Sequence, residues 1–212
     1  MSPASTLRTG ATIAATLYTG VLLVLGLYPS EFRYLFAYIP AVVGYGVLVF
    51  DKWAWRWPLI HRISGQAWVN GTWRAVLTPS SESHIPAGGN RGPIAAYMVI
   101  EQTYWSLHIA LHTAESTSRS SNATIASLEN SGTAEIGFLY DNTPRVEHQH
   151  RSPRHHGACR LSVTGLIPKS ATGHYFTGRF TAGDVDLRLI SRSTEFGTFS
   201  EAQIADPSQT EI

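Results

Sequence analysis

The sequence predicts a membrane-anchored all-β protein, with two N-terminal transmembrane helices followed by an eight-stranded antiparallel β-barrel. Three observations carry that expectation. Two uncharged windows open the chain, a run of short alternating segments follows Arg62, and charge is divided unevenly between the two regions. Only 15% of the 212 residues are charged, against a usual share of about 25%. Residues 1–62 hold five of the 16 basic and two of the 15 acidic side chains, leaving eleven and thirteen for the remainder. Cys159 is the single cysteine, so neither a disulfide framework nor a four-cysteine metal site can form within the chain. A net charge of +1 argues against a protein that coats nucleic acid, and no DNA or RNA partner is expected.

The first element is a hairpin over residues 1–62. From Thr9 to Ser30 there are 22 consecutive uncharged residues, and about 20 suffice for a helix to cross the hydrocarbon layer. A second window of 17 residues runs from Tyr34 to Phe50, near the lower limit at about 1.5 Å per residue. Only Glu31, Phe32 and Arg33 separate them, which predicts a tight pair of spans at 9–30 and 34–50. Trp53, Trp55 and Trp57 alternate with Lys52 and Arg56 as an interfacial belt does. Arg8 lies before the first span and Lys52, Arg56 and Arg62 follow the second, so both termini are expected on the cytoplasmic side. Ala11 with Ala15, and Ala37 with Ala41, have the spacing that lets helices approach closely in lipid, although small residues are common in such helices anyway. Pro40 is placed to kink the second span. A cleaved signal peptide is the competing reading, but no small-x-small cleavage site follows the first window. A core hairpin of a larger globule would need more helical partner than the chain supplies.

Residues 63–192 alternate polar with apolar between closely spaced turn residues. The predicted strands are 71–78, 94–101, 104–113, 118–128, 134–141, 157–164, 174–181 and 185–191. In the third, Trp105, Leu107, Ile109 and Leu111 share a dry face and Tyr104, Ser106, His108 and His112 a wet one. In the last, Val185, Leu187 and Leu189 oppose Asp186 and Arg188. Thr181-Ala182-Gly183-Asp184 reads as the turn of the final hairpin. Closing eight strands removes the sheet edges, and such a barrel admits one small ligand at its mouth; a two-sheet sandwich is the alternative. Residues 193–212, acidic from Thr194 onward with no Lys or Arg, read as a disordered tail.

The chain carries no nucleophile elbow, zincin helix, Walker loop or dinucleotide fingerprint, so it is not expected to be an enzyme or to need a cofactor. Arg145 to His156 is dense in His and Arg, but no cysteine or carboxylate nearby completes a metal set; a solvated loop offering cations to phosphate is the simpler reading. A second constellation suits an anionic aromatic ligand. Tyr175, Thr177, Arg179 and Thr181 fall on one face of the predicted seventh strand, where Arg179 could hold a phosphate by paired hydrogen bonds. Trp105 and Tyr140 are flat surfaces on which a base could stack. The plainer alternative makes Trp105 and Tyr140 core residues and Arg179 a surface cation.

The chain also resembles a known family. Gly71-Thr72-Trp73, Glu101-Gln102-Thr103-Tyr104-Trp105 leading to Leu111-His112-Thr113, and Ser116-Thr117-Ser118-Arg119-Ser120 match in order. So do Phe138-Leu139-Tyr140-Asp141-Asn142-Thr143-Pro144, His156-Gly157 and Gly173-His174-Tyr175-Phe176-Thr177-Gly178-Arg179-Phe180-Thr181. Together with the helical hairpin they look like the two-transmembrane β-barrel effectors of CBASS, the bacterial cyclic-oligonucleotide antiphage system. The likeness covers residues 10–192. It implies that a nucleotidyltransferase answers infection by making a cyclic dinucleotide, which binds the barrel. Binding then drives homo-oligomerisation, and the helices disrupt the lipid bilayer of the bacterial inner membrane so that growth stops. The resemblance also extends to barrel-and-hairpin effectors in decoy arrangements, where a cyclic nucleotide restrains instead of activating, so it leaves the sign of control open. On this resemblance Trp105 and Tyr140 stack on bases and Thr177, Arg179 and Thr181 hold phosphates, with Arg160 and Arg119 as further cations. The His- and Arg-rich 143–156 loop and the long Pro79–Pro93 connection depart from the family pattern, at the place where a barrel mouth sets selectivity. The rival readings are a membrane-tethered barrel that anchors another protein and senses no nucleotide, and a lipocalin-like carrier.

Overall fold

A computed structural model describes residues 11–12, 15–20, 22–23, 33–128 and 131–209. The chain forms two compact units, one of residues 1–61 with 103–106 and one of 62–102 with 107–212.

In the first unit residues 11–12, 15–20 and 22–23 are helical, and the rest of the 9–30 window lies outside the described residues. Helix α1 spans Arg33–Lys52, a short 3-10 turn spans Ala54–Arg56, and α2 spans Pro58–Ser64. Asp51, fully buried, ends α1 in a polar clasp: its carbonyl accepts from the Tyr104 N–H at 2.9 Å and its Oδ1 from the Trp105 N–H at 3.1 Å. Phe50 packs on both aromatic rings, 4.9 Å from Tyr104 and 5.6 Å from Trp105 between centroids.

The expected transmembrane pair, and with it the two-span inner-membrane placement, is corrected here. Among the described residues no helix is long and apolar enough to cross a membrane. The expectation counted missing charges, whereas insertion depends on apolar surface. The 34–50 window gives Tyr34, Tyr38 and Tyr45 to phenols, Gly44 and Gly46 to bare backbone and position 40 to proline.

The second unit is a closed antiparallel barrel in which each strand pairs with the next and β8 returns to β1. Its strands are β1 (Gly71–Pro79), β2 (Ile94–Gln102), β3 (Leu107–Thr113), β4 (Ser116–Ser127), β5 (Thr133–Pro144), β6 (His155–Thr164), β7 (Ser170–Thr177) and β8 (Ala182–Ser191). The eight-stranded barrel is therefore as expected, with two local differences. Residues 104–106 are not strand but part of the connection clasped by Asp51. The last hairpin turns at 178–181, earlier than its sequence suggested, because Phe180 takes a left-handed backbone (φ 59°) and the Thr177 N–H reaches the Thr181 carbonyl at 2.9 Å. β8 consequently begins at Ala182.

Alternation sorts the strands into an inner and an outer set. On β5 the inward series runs Ala134, Ile136, Phe138, Tyr140, Asn142, Pro144, and on β3 it runs Leu107, Ile109, Leu111, Thr113. On β4 a bulge between Ser120 and Asn122 resets the parity, so Ser118 faces inward on one side of it and Ala123 and Ile125 on the other. The series on β3, β4, β5, β6 and β7 become more polar toward the same end, where β1 and β2 stay apolar through Leu77 and Ile94. Trp73, Met98, Ile100, Ile136, Leu161, Val163 and Val185, each no more than 2% exposed, fill the interior at the other. Fully burying an aliphatic side chain of this size contributes about 1.5–3 kcal/mol, so this packed end anchors the barrel and the polar end is left free to be open.

The segment 193–209, expected to be a disordered tail, instead carries helix α3 (Phe199–Ile204), with Ala202 and Asp206 buried against the barrel. Thr198 caps the helix by accepting from the Glu201 N–H at 3.3 Å. The Tyr97 hydroxyl donates to Asp206 Oδ2 at 3.1 Å, and the Phe199 ring lies 5.3 Å from that of Tyr97. Low hydrophobicity concealed the segment, which buries Ala202 and Asp206 while Ile204 stays exposed. His112, expected on a wet face, is only 3% exposed.

Candidate functional site: the barrel mouth

The polar end of the barrel holds a cavity of about 380 Å³, within the range of small-molecule sites. Four connections surround it: β1–β2, β3–β4, β5–β6 and β7–β8. Its walls are the mouth-side ends of the inward series, with Leu77, Leu111, Tyr140 and Tyr175 deepest and Ser116, Asn142, Thr177 and Thr181 above them. Leu77, Leu111, Tyr140 and Tyr175 also line a small void of about 20 Å³ that leads on to Cys159 and Met98 in the core. Burial pushes the Cys159 thiol up to about 12, so it is a neutral wall. Burial likewise raises the Tyr140 phenol, with Cys159 and Tyr175 adding to it, and raises Tyr175, with Asp184 adding. Both phenols therefore stay protonated and can donate.

Cations reach the cavity from its rim. Arg179, in the β7–β8 turn, donates through Nη1 to Ser152 Oγ at 2.6 Å and through Nη2 to the Arg151 carbonyl at 3.3 Å. Arg151 in turn donates through Nη2 to Glu115 Oε1 at 2.6 Å and through Nη1 to the Gly88 carbonyl at 3.4 Å. Its Nη2 also lies 3.2 Å from His148 Nδ1. Two guanidiniums thus tie together all four connections at the mouth. His155 joins them on the cavity wall; burial, then Arg179 and His156, lower its imidazole below the ordinary range, while the Pro153 carbonyl opposes this. Beside it Asn142 Nδ2 is 3.4 Å from both Ser116 Oγ and His155 Nε2, and Asn142 Oδ1 is buried with no hydrogen-bond partner among the described residues.

Of the residues singled out in the sequence, Tyr140, Tyr175, Thr177, Arg179 and Thr181 meet at this cavity. Arg179 does so from the turn and not from the strand. Thr177 and Thr181 face one another there, 2.5 Å apart between hydroxyls. Three others do not line it. Trp105 belongs to the first unit, where its ring contacts Phe50 and Tyr104. Arg160 points outward between the inward pair Cys159 and Leu161, and its guanidinium is held by Glu135. Arg119 is exposed, one residue out of phase with the inward Ser118. The sequence reading leaves Asn142 and Glu115 out of the site and includes Arg151 and His155 only within the Arg145–His156 stretch read as offering cations to phosphate. Extending the β5 alternation from Tyr140 to Asn142 finds the first. Glu115 and Arg151 lie on connections, and His155 opens β6. Among the described residues no three His, Cys, Asp or Glu side chains are placed to hold one metal ion.

A shallow aromatic floor, hydroxyls at mid-height and two guanidiniums at the rim would take a flat, dianionic molecule. Comparison with known proteins points the same way. The family model described as "Cap15, cyclic dinucleotide receptor domain" matches residues 68–188. That stretch contains every residue named on the cavity wall. The chain is also 28% identical, over 141 residues, to "CD-NTase-associated protein 15" of Staphylococcus schleiferi, covering 66% of this chain and 71% of that protein.

Proposed function

Since the chain belongs to the family of Cap15 cyclic dinucleotide receptor domains, we propose that its barrel mouth binds a cyclic dinucleotide and that the protein is an effector of CBASS antiphage defence. The observation that carries this reading is the meeting of Arg179 and Arg151 above the Tyr140 and Tyr175 rings in one cavity. The rings offer faces for two bases, while the guanidiniums and the Thr177 and Thr181 hydroxyls offer donors to two phosphates. Charge-assisted bonds of this kind are the stronger class of hydrogen bond, and Arg matches phosphate geometry bidentately. In this reading the work of the site is recognition.

Occupancy has to favour one state of the protein over another for binding to become a signal. In this reading the liganded barrels associate with one another, and the assembly disrupts the membrane and arrests the infected cell. A ligand that bridges four connections changes the outline of the barrel's open end, which is the physical basis for a new contact between copies.

Calorimetric titration of the full chain with a panel of cyclic dinucleotides tests the first step. Arg179→Ala should weaken the preferred ligand by roughly 10- to 100-fold, the loss expected for a hydrogen bond to a charged group worth about 1.5–3 kcal/mol. Unchanged affinity in Arg179→Ala would remove Arg179 from the site, and a panel without any binder would end the reading.

A further inference from the structure

Glu115 is a carboxylate placed in a cavity otherwise suited to an anion. It sits in the β3–β4 connection, on the cavity wall, with its side chain about half exposed, and its Oε1 accepts from Arg151 Nη2 at 2.6 Å. Arg151 is committed to three connections at once: Glu115, the Gly88 carbonyl and His148. Among the described residues the Arg179 guanidinium donates to neutral acceptors alone, Ser152 Oγ and the Arg151 carbonyl. The two rim cations therefore differ. One can turn to an arriving phosphate by giving up neutral partners, whereas the other must first release an anion.

We propose that Glu115 is an affinity-determining residue, an internal anion that competes with a ligand phosphate for Arg151 and so sets the concentration at which the messenger is sensed. This rests on the reading of the mouth as a cyclic-dinucleotide site. A phosphate that approaches Arg151 with Glu115 in place meets a like charge at hydrogen-bonding range, and the carboxylate must swing away or lose its partner. Neutralising Glu115 removes both costs. The carboxylate is half exposed and its backbone carbonyl still accepts from the Arg145 N–H at 2.9 Å, so the connection keeps its main-chain support when the side chain changes.

Glu115→Gln keeps the shape and can still accept from Arg151, but carries no charge. Titrated against the same cyclic dinucleotides, the full-length variant should bind about two- to fivefold tighter, as removal of one partly exposed competing ion pair implies. In an Arg151→Ala background the gain should shrink toward nothing, because the contested cation is gone. Weaker or equal binding by Glu115→Gln, with the wild type binding normally, overturns the proposal and makes Glu115 a ligand contact or a bystander. An equal gain with and without Arg151 overturns it too, since bulk repulsion and not competition would then be at work. Failure of both wild type and variant to bind any member of the panel sinks the reading of the mouth itself, a result distinct from the other two.

Discussion

Gly157 decides where Tyr140 can lie. The two are direct cross-strand partners, and a Cβ on Gly157 would collide with the Tyr140 Cζ and Oη and with the Phe176 carbonyl. The bare backbone lets the phenol fold across β6 toward the Phe176 carbonyl, 3.4 Å away, and become part of the cavity floor. Gly157→Ala should therefore weaken cyclic-dinucleotide binding severalfold and cost about 1–3 kcal/mol of stability, the range for forcing extra volume into a packed site. Calorimetry and urea unfolding read the two effects. His112 gives a second expectation. Burial, then the Arg119 guanidinium, hold its imidazole below the ordinary range, with Glu201 opposing. The unfolded chain takes up this proton near pH 6.5 and the folded one only at lower pH. Stability is therefore full above about pH 6.5 and falls as pH drops from there toward the folded value. Melting midpoints measured downward from neutral pH should fall less in His112→Gln than in the wild type. At this scale the sequence shows what parity can show: Tyr175 and Thr177 are placed by alternation, Tyr140 is chosen only as a flat ring, and parity also turns Arg160 outward. Arg151 is legible only as one cation of its loop, because that loop meets Gly88 and Glu115 only after distant strands have paired.

The C-terminal helix is the element that composition hid. Thr198-x-x-Glu201 is a helix-start signal legible without coordinates, and Glu201 Oε2 accepts from the N–H of Gly197, the residue before the cap, at 2.8 Å. The expectation of disorder over 193–212 rests on acidity and the absence of basic residues and takes no account of that signal. What holds the segment is Asp206, 1% exposed, which accepts from Tyr97 Oη at 3.1 Å and, through Oδ1, from the Ser208 N–H and hydroxyl at 3.1 and 2.8 Å, with Arg74 Nη1 at 3.8 Å. Burial, then the bond to Asp206, push the Tyr97 phenol up to about 12, so it donates throughout the working pH range. Asp206→Ala should destabilise the barrel by about 1–3 kcal/mol, because it leaves a buried hydroxyl without its acceptor. Denaturant unfolding followed by tyrosine fluorescence measures it. The β7–β8 turn was misplaced for a related reason: Phe180 occupies a backbone region that sequence rules assign to Gly or Asn.

For the molecule as a whole, the barrel was the most legible feature, since eight alternating runs leave few ways to bury one face of each. The expected membrane-spanning pair failed because an uncharged run was equated with an apolar one. Ligand binding should stabilise the whole barrel: at about 100 times Kd a ligand confined to the folded state adds about 2.7 kcal/mol. The melting midpoint of the full chain should rise with cyclic-dinucleotide concentration, and a flat midpoint across the panel would contradict binding. The return of β8 to β1 carries one more consequence. Seven of the eight seams are long, but β4 meets β3 only over Thr117–Arg119 while its pairing with β5 runs from Ser116 to Ser127. Any backbone-to-backbone zipping between copies is therefore confined to the β3-side flank of β4 beyond Arg119, and every other contact in a filament or cluster has to be glued by side chains.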